Sequence, residues 1–337
     1  MFRTTGLSTA VAAFAALVAA LAVGGVVLAG GQKNPAYTDP AQAGPDFAIQ
    51  GEYMGQVETD MGIVTIGVQV IALGDGKFRA VGYPGGLPGA GWDGKEKHIA
   101  EGQTKDGKTV FTVADSDAKA VIKDGVLEIV DGSGKTIGTL KKTERKSPTL
   151  GAKPPAGAVV LFDGTSADNF KGGRMTPDGL LMEGATSKQT FGAFTLHMEF
   201  RTPFQPFDRG QGRGNSGVYA QGRYEVQILD SFGLEGENNE CGGIYGVARP
   251  KVNMCLPPLS WQTYDIDFTP AEYKDGKKVR NARMTVRHNG VVIHQDVEIP
   301  KATTAAPLPE GPEPGPIFLQ NHGNPVRFRN IWVVEKK

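Results

Sequence analysis

Apolar side chains recur at every second position along most of this chain, and that period constrains its fold more than any other feature. In Phe194–Arg201, Phe194, Leu196, Met198 and Phe200 fall on one side, with Thr195, His197, Glu199 and Arg201 on the other. Trp261–Phe268 repeats the pattern, Tyr264, Ile266 and Phe268 standing opposite Thr263, Asp265 and Asp267. Successive strand residues point to opposite faces, so each stretch reads as a strand with one buried face. Asn289-Gly290, between Ala282–His288 and Val291–Gln295, is a strong hairpin signal. The 47 glycines and 22 prolines favour short strands joined by turns over long helices. After the N-terminus no long stretch carries a helical period. The expected fold class is all-β, a sandwich or jelly roll preceded by a small antiparallel β domain.

The 337 residues divide by composition. Residues 1–31 carry one charge, Arg3, followed by an Ala/Val/Leu run from Ala10 to Ala29. That is the pattern of a signal peptide, with Val27-Leu28-Ala29 suiting cleavage, or of an uncleaved anchor. A periplasmic or secreted location is expected, with the membrane involved only through this segment. Residues 32–46, rich in Pro, Ala, Asp and Gly, read as a flexible spacer. Residues 47–145 form the small β domain, with strands expected at Gly62–Ala72, Lys77–Val81, Thr109–Val113, Ala120–Ile122 and Val126–Ile129. Trp92, in its Gly/Pro-rich loop, reads as a sugar-stacking residue or as a plug for one end of a small barrel. Residues 146–158 read as a linker, and 159–337 as the second domain. Lysine plus arginine equals aspartate plus glutamate at 36 each, which gives no electrostatic reason to expect nucleic acid as a partner.

The candidate site lies in Arg213–Ser231. Val218 and Ala220, then Tyr224, Val226 and Ile228, share buried faces on two strands. Asn215, Tyr219, Gln221, Glu225 and Gln227 then form a polar patch on the opposite face. Aromatic, amide and carboxylate groups mixed on one face suit a sugar. Asp230 sits at an odd offset from Glu225 and reads as a strand-end cap or a site residue. Cys241 and Cys255 are the only cysteines. Outside the cytoplasm an even pair is expected to form a disulfide stapling Gly233–Pro258. A segment of that length without regular structure tends to shape a site. His288 and His294 flank a hairpin and read as surface residues.

Seven separated motifs occur in one order: LFDGTS (Leu161–Ser166), NSGVY (Asn215–Tyr219), GRYEVQILDS (Gly222–Ser231), CGGIYG (Cys241–Gly246), WQTYDIDF (Trp261–Phe268), HNGVVIH (His288–His294) and GPIFLQNHGNPVRFRNIWV (Gly315–Val333). Together they resemble the 3-keto-disaccharide hydrolase domain family, from about Val159 to the C-terminus. The resemblance implies a concanavalin-A-like jelly-roll sandwich with a sugar groove on its concave face. It also implies activity on glycosides whose third sugar carbon has been oxidised to a ketone.

Such a substrate offers an elimination route. The ketone acidifies the hydrogen on the second carbon, a base removes it, and the group on the first carbon leaves. Glu225 is the expected base or acid, with His322 or Glu199 as its counterpart; Arg201, His197 or Gln320 would steady the oxyanion. Asn215, Tyr219, Gln221, Gln227 and Asp230 complete the expected substrate contacts. An ordinary glycosidase needs two carboxylates across one bond, yet the residue two after Glu225 on its strand is Gln227. That enzyme class and a non-catalytic carbohydrate-binding module are the alternatives. No cofactor is expected; no paired-His metal spacing occurs, and a divalent metal assembled from distant strands stays open.

Overall fold

The computed structural model describes residues 33–60, 62–113 and 117–336; the expected signal or anchor segment lies outside the described residues. Among these, Pro45–Ile49 is a short helix (α1), followed by eight antiparallel strands: β1 Gly51–Thr59, β2 Gly62–Gly74, β3 Lys77–Pro84, β4 His98–Lys105, β5 Lys108–Val113, β6 Lys119–Lys123, β7 Val126–Val130 and β8 Thr136–Thr143. Each pairs with the next, and β1 also pairs with β8, so the meander closes into a barrel. Closure removes the free edges that an open meander would expose. The barrel core is Tyr53, Val68, Val70, Phe78, Phe111, Leu127 and Leu140 with smaller neighbours. Gly102 is required where it stands: a Cβ there would lie 2.4 Å from the Phe111 ring.

The second β unit holds β9 Val159–Phe162, β10 Phe170–Lys171, β11 Leu181–Met182, β12 Ala185–Phe191, β13 Phe194–Arg201, β14 Ser216–Ala220, β15 Tyr224–Ile228, β16 Gln262–Thr269, β17 Glu272–Lys274, β18 Lys277–Arg280, β19 Ala282–His288, β20 Val291–Ile299, β21 Gly315–Leu319 and β22 Arg327–Glu335. One sheet runs β10-β12-β21-β14-β15. Another runs β11-β22-β13-β16-β19-β20, with β9 on β22. Between them lie the inward faces that the alternation predicts: Phe194, Leu196, Met198 and Phe200 meet Val218, Tyr224, Val226 and Ile228. The fold is all-β, as expected.

Several expectations fail, each for a packing reason. The stretch 33–46 is no free spacer. Tyr37 exchanges backbone hydrogen bonds with Phe204 at 3.0 and 2.9 Å, and the Asp39 carboxylate caps the turn Pro40–Gln42. Residues 146–158 are likewise fastened down, Gly151 N–H donating to Glu199 Oε1 at 2.6 Å and Thr149 Oγ1 to Asp265 at 2.8 Å. Trp92 neither stands free nor plugs the barrel. It packs edge-on against Tyr83 at 5.0 Å, in the cluster that β3 shares with the second β unit. His288 and His294 are buried, not surface residues. His288 meets Gln262 Oε1 at 3.0 Å, and burial pulls its pKa down to about 3. His294 Nε2 donates to the Gly242 carbonyl at 2.7 Å.

The expected disulfide is absent: Cys241 and Cys255 are free and buried. Cys241 Sγ lies 3.3 Å from the Tyr264 hydroxyl, while Cys255 Sγ reaches the Leu229 and Leu256 carbonyls at 3.6 and 3.5 Å. They act as small core hydrophobes. Hydrogen bonds hold their segment instead, Asn253 Nδ2 donating to Ser231 O and Cys241 N–H to Ser231 Oγ. Native protein should therefore resist thiol reagents, and protein unfolded without reductant should label at both cysteines. Labelling at neither would establish a bridge.

Candidate active site

The β14–β15 hairpin makes the floor of a cavity of about 170 Å³. Its lining is Gln211, Asn215, Glu225, Gln227, Tyr245, Thr304, Ala305, Gln320 and His322. In the hairpin register Tyr219 stands opposite Glu225 and Gly217 opposite Gln227, which puts all four positions on one face. Gly217 makes room for the acid: a Cβ there would stand 2.1 Å from Glu225 Oε1. Beyond β15 the segment Cys241–Tyr245 acts as a further strand. Gly242 N–H donates to Gln227 O at 3.0 Å, Gln227 N–H to Gly243 O at 2.9 Å, and Tyr245 N–H to Glu225 O at 3.1 Å. The long irregular stretch thus delivers Tyr245 to the cavity wall.

Glu225 is only 2 % exposed, not the solvent-facing groove residue that alternation alone suggests. Burial raises its pKa from 4.5 to about 7, against a smaller opposing pull from the Tyr219 hydroxyl. That hydroxyl receives a hydrogen bond from Gln320 Nε2 at 3.0 Å, and Thr304 O, 3.3 Å away, competes with Glu225 for its one proton. Burial also drives the Tyr219 pKa upward, so the phenol stays protonated. The adjoining wall is an amide array. Gln227 Nε2 donates to Gln211 Oε1 at 3.0 Å, and Asn215 Nδ2 to the Gln211 carbonyl at 2.8 Å. Gln227 Oε1 is buried without a partner, an acceptor available to a ligand hydroxyl. Ala305, at φ 59°, holds the left-handed conformation that side chains with a Cβ rarely adopt. His322 is exposed at the mouth.

The structure thus gathers the sequence-predicted Asn215, Glu225, Gln227, Gln320 and His322, with Tyr219 hydrogen-bonded to Gln320. Other expected residues do not line the cavity. Gln221 belongs to the hairpin turn, with φ at 52°, and its Nε2 donates to Phe191 O at 2.9 Å. Asp230 lies beyond the end of β15 in a buried ion pair, 2.6 Å from Arg213 Nε. Glu199, His197 and Arg201 face outward from the other sheet. Glu199 receives Arg329 Nε at 2.6 Å and Asn330 Nδ2 at 2.9 Å. Burial alone would raise its pKa; hydrogen bonds from His197, Asn330, Gly151 and Arg329 win and lower it to about 2. His197 sits 2.6 Å from Asp265 Oδ1 and stacks on Trp332 at 5.0 Å. Arg201 Nη2 donates to Thr38 O at 3.1 Å, its guanidinium 5.0 Å from the Trp261 ring. Arg201 and Glu199 thereby fasten the 33–46 and 146–158 segments to the sheet, through Thr38 and Gly151.

Residues 157–334 match the 3-keto-alpha-glucoside-1,2-lyase-like domain. The chain belongs to that family. The barrel lies outside the match. A solved structure of a candidate glycosyl hydrolase from Parabacteroides distasonis is 34 % identical, covering 54 % of this chain and 85 % of that one at a TM-score of 0.49. A second from the same organism is 24 % identical, covering 53 % and 99 % at a TM-score of 0.38. No curated protein matches the chain.

For this lyase-like family member, sequence reasoning missed Gln211, Tyr245, Thr304 and Ala305. Tyr245 sits inside the CGGIYG motif and Gln211 just ahead of NSGVY, so both had a signal. Thr304 and Ala305 had none. Among the described residues no group of three His, Cys, Asp or Glu side chains is placed to hold a metal ion.

Two substitutions separate the cavity from the outward-facing cluster. Gly217→Ala should displace the Glu225 carboxylate and lower turnover about a hundredfold, since small misplacements cost that much. Glu199→Gln should leave turnover unchanged while lowering stability on the order of 3 kcal/mol, because it breaks a buried charge network. The contribution of the Glu199 charge to stability is complete above about pH 4.5 and is lost as pH falls through about 2. Steady-state kinetics and chemical denaturation at pH 7 check both.

Proposed function

We propose that this protein is a carbohydrate-active enzyme that cleaves 3-keto-glycosides, with Glu225 as the catalytic base. One observation supports the reading above the others: Glu225 is the single carboxylate lining the cavity among the described residues, and its pKa stands at about 7. A conventional glycosidase needs a pair of carboxylates flanking the bond. Proton abstraction beside a ketone needs one base poised near the working pH.

The chemistry follows from that base. Glu225 takes the proton from the second carbon of the oxidised ring. The freed electron pair forms the double bond to the first carbon as the glycosidic C–O bond breaks. The departing oxygen takes a proton and leaves as an alcohol, and the ring becomes an unsaturated ketone. Addition of water to the first carbon would complete a net hydrolysis. The amide groups of Asn215, Gln211 and Gln320, which line the cavity, would supply neutral polar contacts for the ring oxygens, and His322, also in the lining, would give the departing oxygen its proton. The apolar N-terminal run supports a periplasmic or secreted setting for this activity.

Matched 3-keto and unoxidised disaccharides test the proposal. Cleavage of the keto form alone is expected; cleavage of both would make it a conventional glycosidase, and saturable binding without turnover would make it a binding module. Turnover should rise with pH to a plateau above about 7, as the base loses its proton. Glu225→Gln should lower the rate about a hundredfold or more.

The same residue makes a stability prediction of definite sign. Unfolded, Glu225 ionises near 4.5; folded, near 7. The folded state therefore holds the extra proton, and stability falls as pH rises through that window, by about 3 kcal/mol. Glu225→Gln should melt higher than the parent at pH 8 and equal to it at pH 4. A parent-like melting temperature at both values would refute the buried-base assignment.

A further inference from the structure

The barrel is outside the family match, yet one of its strands holds the turn that carries a cavity-lining residue. Gln211 rides on the turn Gly210–Gly212, and an arginine flanks that turn on each side. Arg209 Nη2 donates to the Leu73 carbonyl at 2.8 Å, and Arg213 Nη1 donates to the Ala72 carbonyl at 3.1 Å. Ala72 and Leu73 are consecutive residues of β2. Arg213 is 5 % exposed and also binds Asp230 through Nε at 2.6 Å. Next to it, Gly214 N–H donates to Gln205 Oε1 at 2.8 Å. The surfaces touch closely: a Cβ on Gly74 would lie 2.5 Å from the Phe207 ring.

From this turn the contacts run directly to the cavity. Gln211 Oε1 accepts from Gln227 Nε2, and the Gln211 carbonyl accepts from Asn215 Nδ2. Each of these side chains lines the cavity. Ala72 and Leu73 lie past the last β1 partner, Val70, and Leu73 falls at the bulge in the β2–β3 ladder, so their carbonyls are left for the arginines while the strand on either side stays anchored in the barrel. A planar guanidinium with five donors can serve a carboxylate and a carbonyl at once, which an ammonium on a flexible stem does less well.

We propose that β2 of the barrel positions the substrate cavity, with Arg209 and Arg213 as the positioning residues. They hold the 209–215 turn so that the Gln211–Asn215–Gln227 array meets the sugar preorganised. The inference goes beyond the proposed reaction by giving the barrel a role, and it rests on that reaction for its substrate.

The test uses the full chain. Arg209→Ala and Arg213→Lys should each raise KM for a 3-keto disaccharide, the second by about tenfold or more. The kcat and its pH midpoint should stay unchanged, because Glu225 is untouched. Arg209→Lys, which keeps one donor for Leu73 O, should recover part of the loss. A general loss of structural integrity would not spare kcat and its pH midpoint. Parent-like KM in both variants overturns the proposal. Arg209 is exposed, so Arg209→Ala decides the matter where Arg213→Lys fails to fold. Should the parent cleave neither keto nor plain disaccharide, the functional reading falls, and hydrogen exchange at the Gly212, Gly214 and Asn215 amides decides the clamp separately. Faster exchange in the variants supports it, and unchanged exchange overturns it.

Discussion

A carboxylate held away from water, with no lysine or arginine among the described residues that line its cavity, is the constraint on which the candidate site depends. Glu225 lies mid-strand on β15, and neutral amides, two tyrosines and a backbone turn close over it. Burial without a cation disfavours its charged form, which is why it titrates near neutrality. Glu199 shows the opposite outcome. It too sits on a strand, pointing away from the core, and is as deeply buried. Arg329, Asn330 and a backbone N–H surround it, and its pKa drops to about 2. Two glutamates with the same alternation signature thus become a candidate base and a structural anion, according to the donors each one meets.

Keeping such a base in place requires walls that do not collapse onto it. One wall is the segment after β20. Arg223, buried at the hairpin tip, donates to the Pro309 carbonyl at 2.7 Å and the Glu313 carbonyl at 2.8 Å, and Thr303 N–H donates back to Arg223 O at 2.9 Å. That grip presents Thr304 and Ala305 to the cavity. The other wall is the turn held against β2. In both cases an arginine satisfies backbone carbonyls of an irregular segment, which otherwise would lie buried without partners.

Much of the fold was legible because strand periodicity is local. The alternation in Phe194–Arg201 and Gln262–Thr269, and the Asn289-Gly290 turn, each declare themselves within a few residues. Strands β1, β4 and β8 escaped notice because glycines and charged residues blur their pattern, as in His98–Lys105. A small barrel was one reading of the meander, but the pairing that closes it was illegible, since it joins Glu52 to Thr143 and nothing nearby in sequence reports so distant a pairing. The cysteines misled for a related reason: proximity in sequence and an even count are conditions for a bridge, whereas packing set these two thiols among core side chains.

The sequence by itself determined which residues share a face. Asn215, Glu225, Gln227, Gln320 and His322 were legible as site candidates from strand phase and motif. It could not rank them against Glu199, His197, Arg201 or Asp230, because phase says that a side chain leaves the core and not what it then meets. Only the tertiary structure decided that one outward face carries an open cavity while the other is sealed by residues 146–158 and an ion-pair network. That decision depends on contacts between residues more than a hundred positions apart, such as Glu199 with Arg329 and Tyr219 with Gln320. Such contacts arise when distant segments compete for the same surface, and a strand's own period carries no record of that competition.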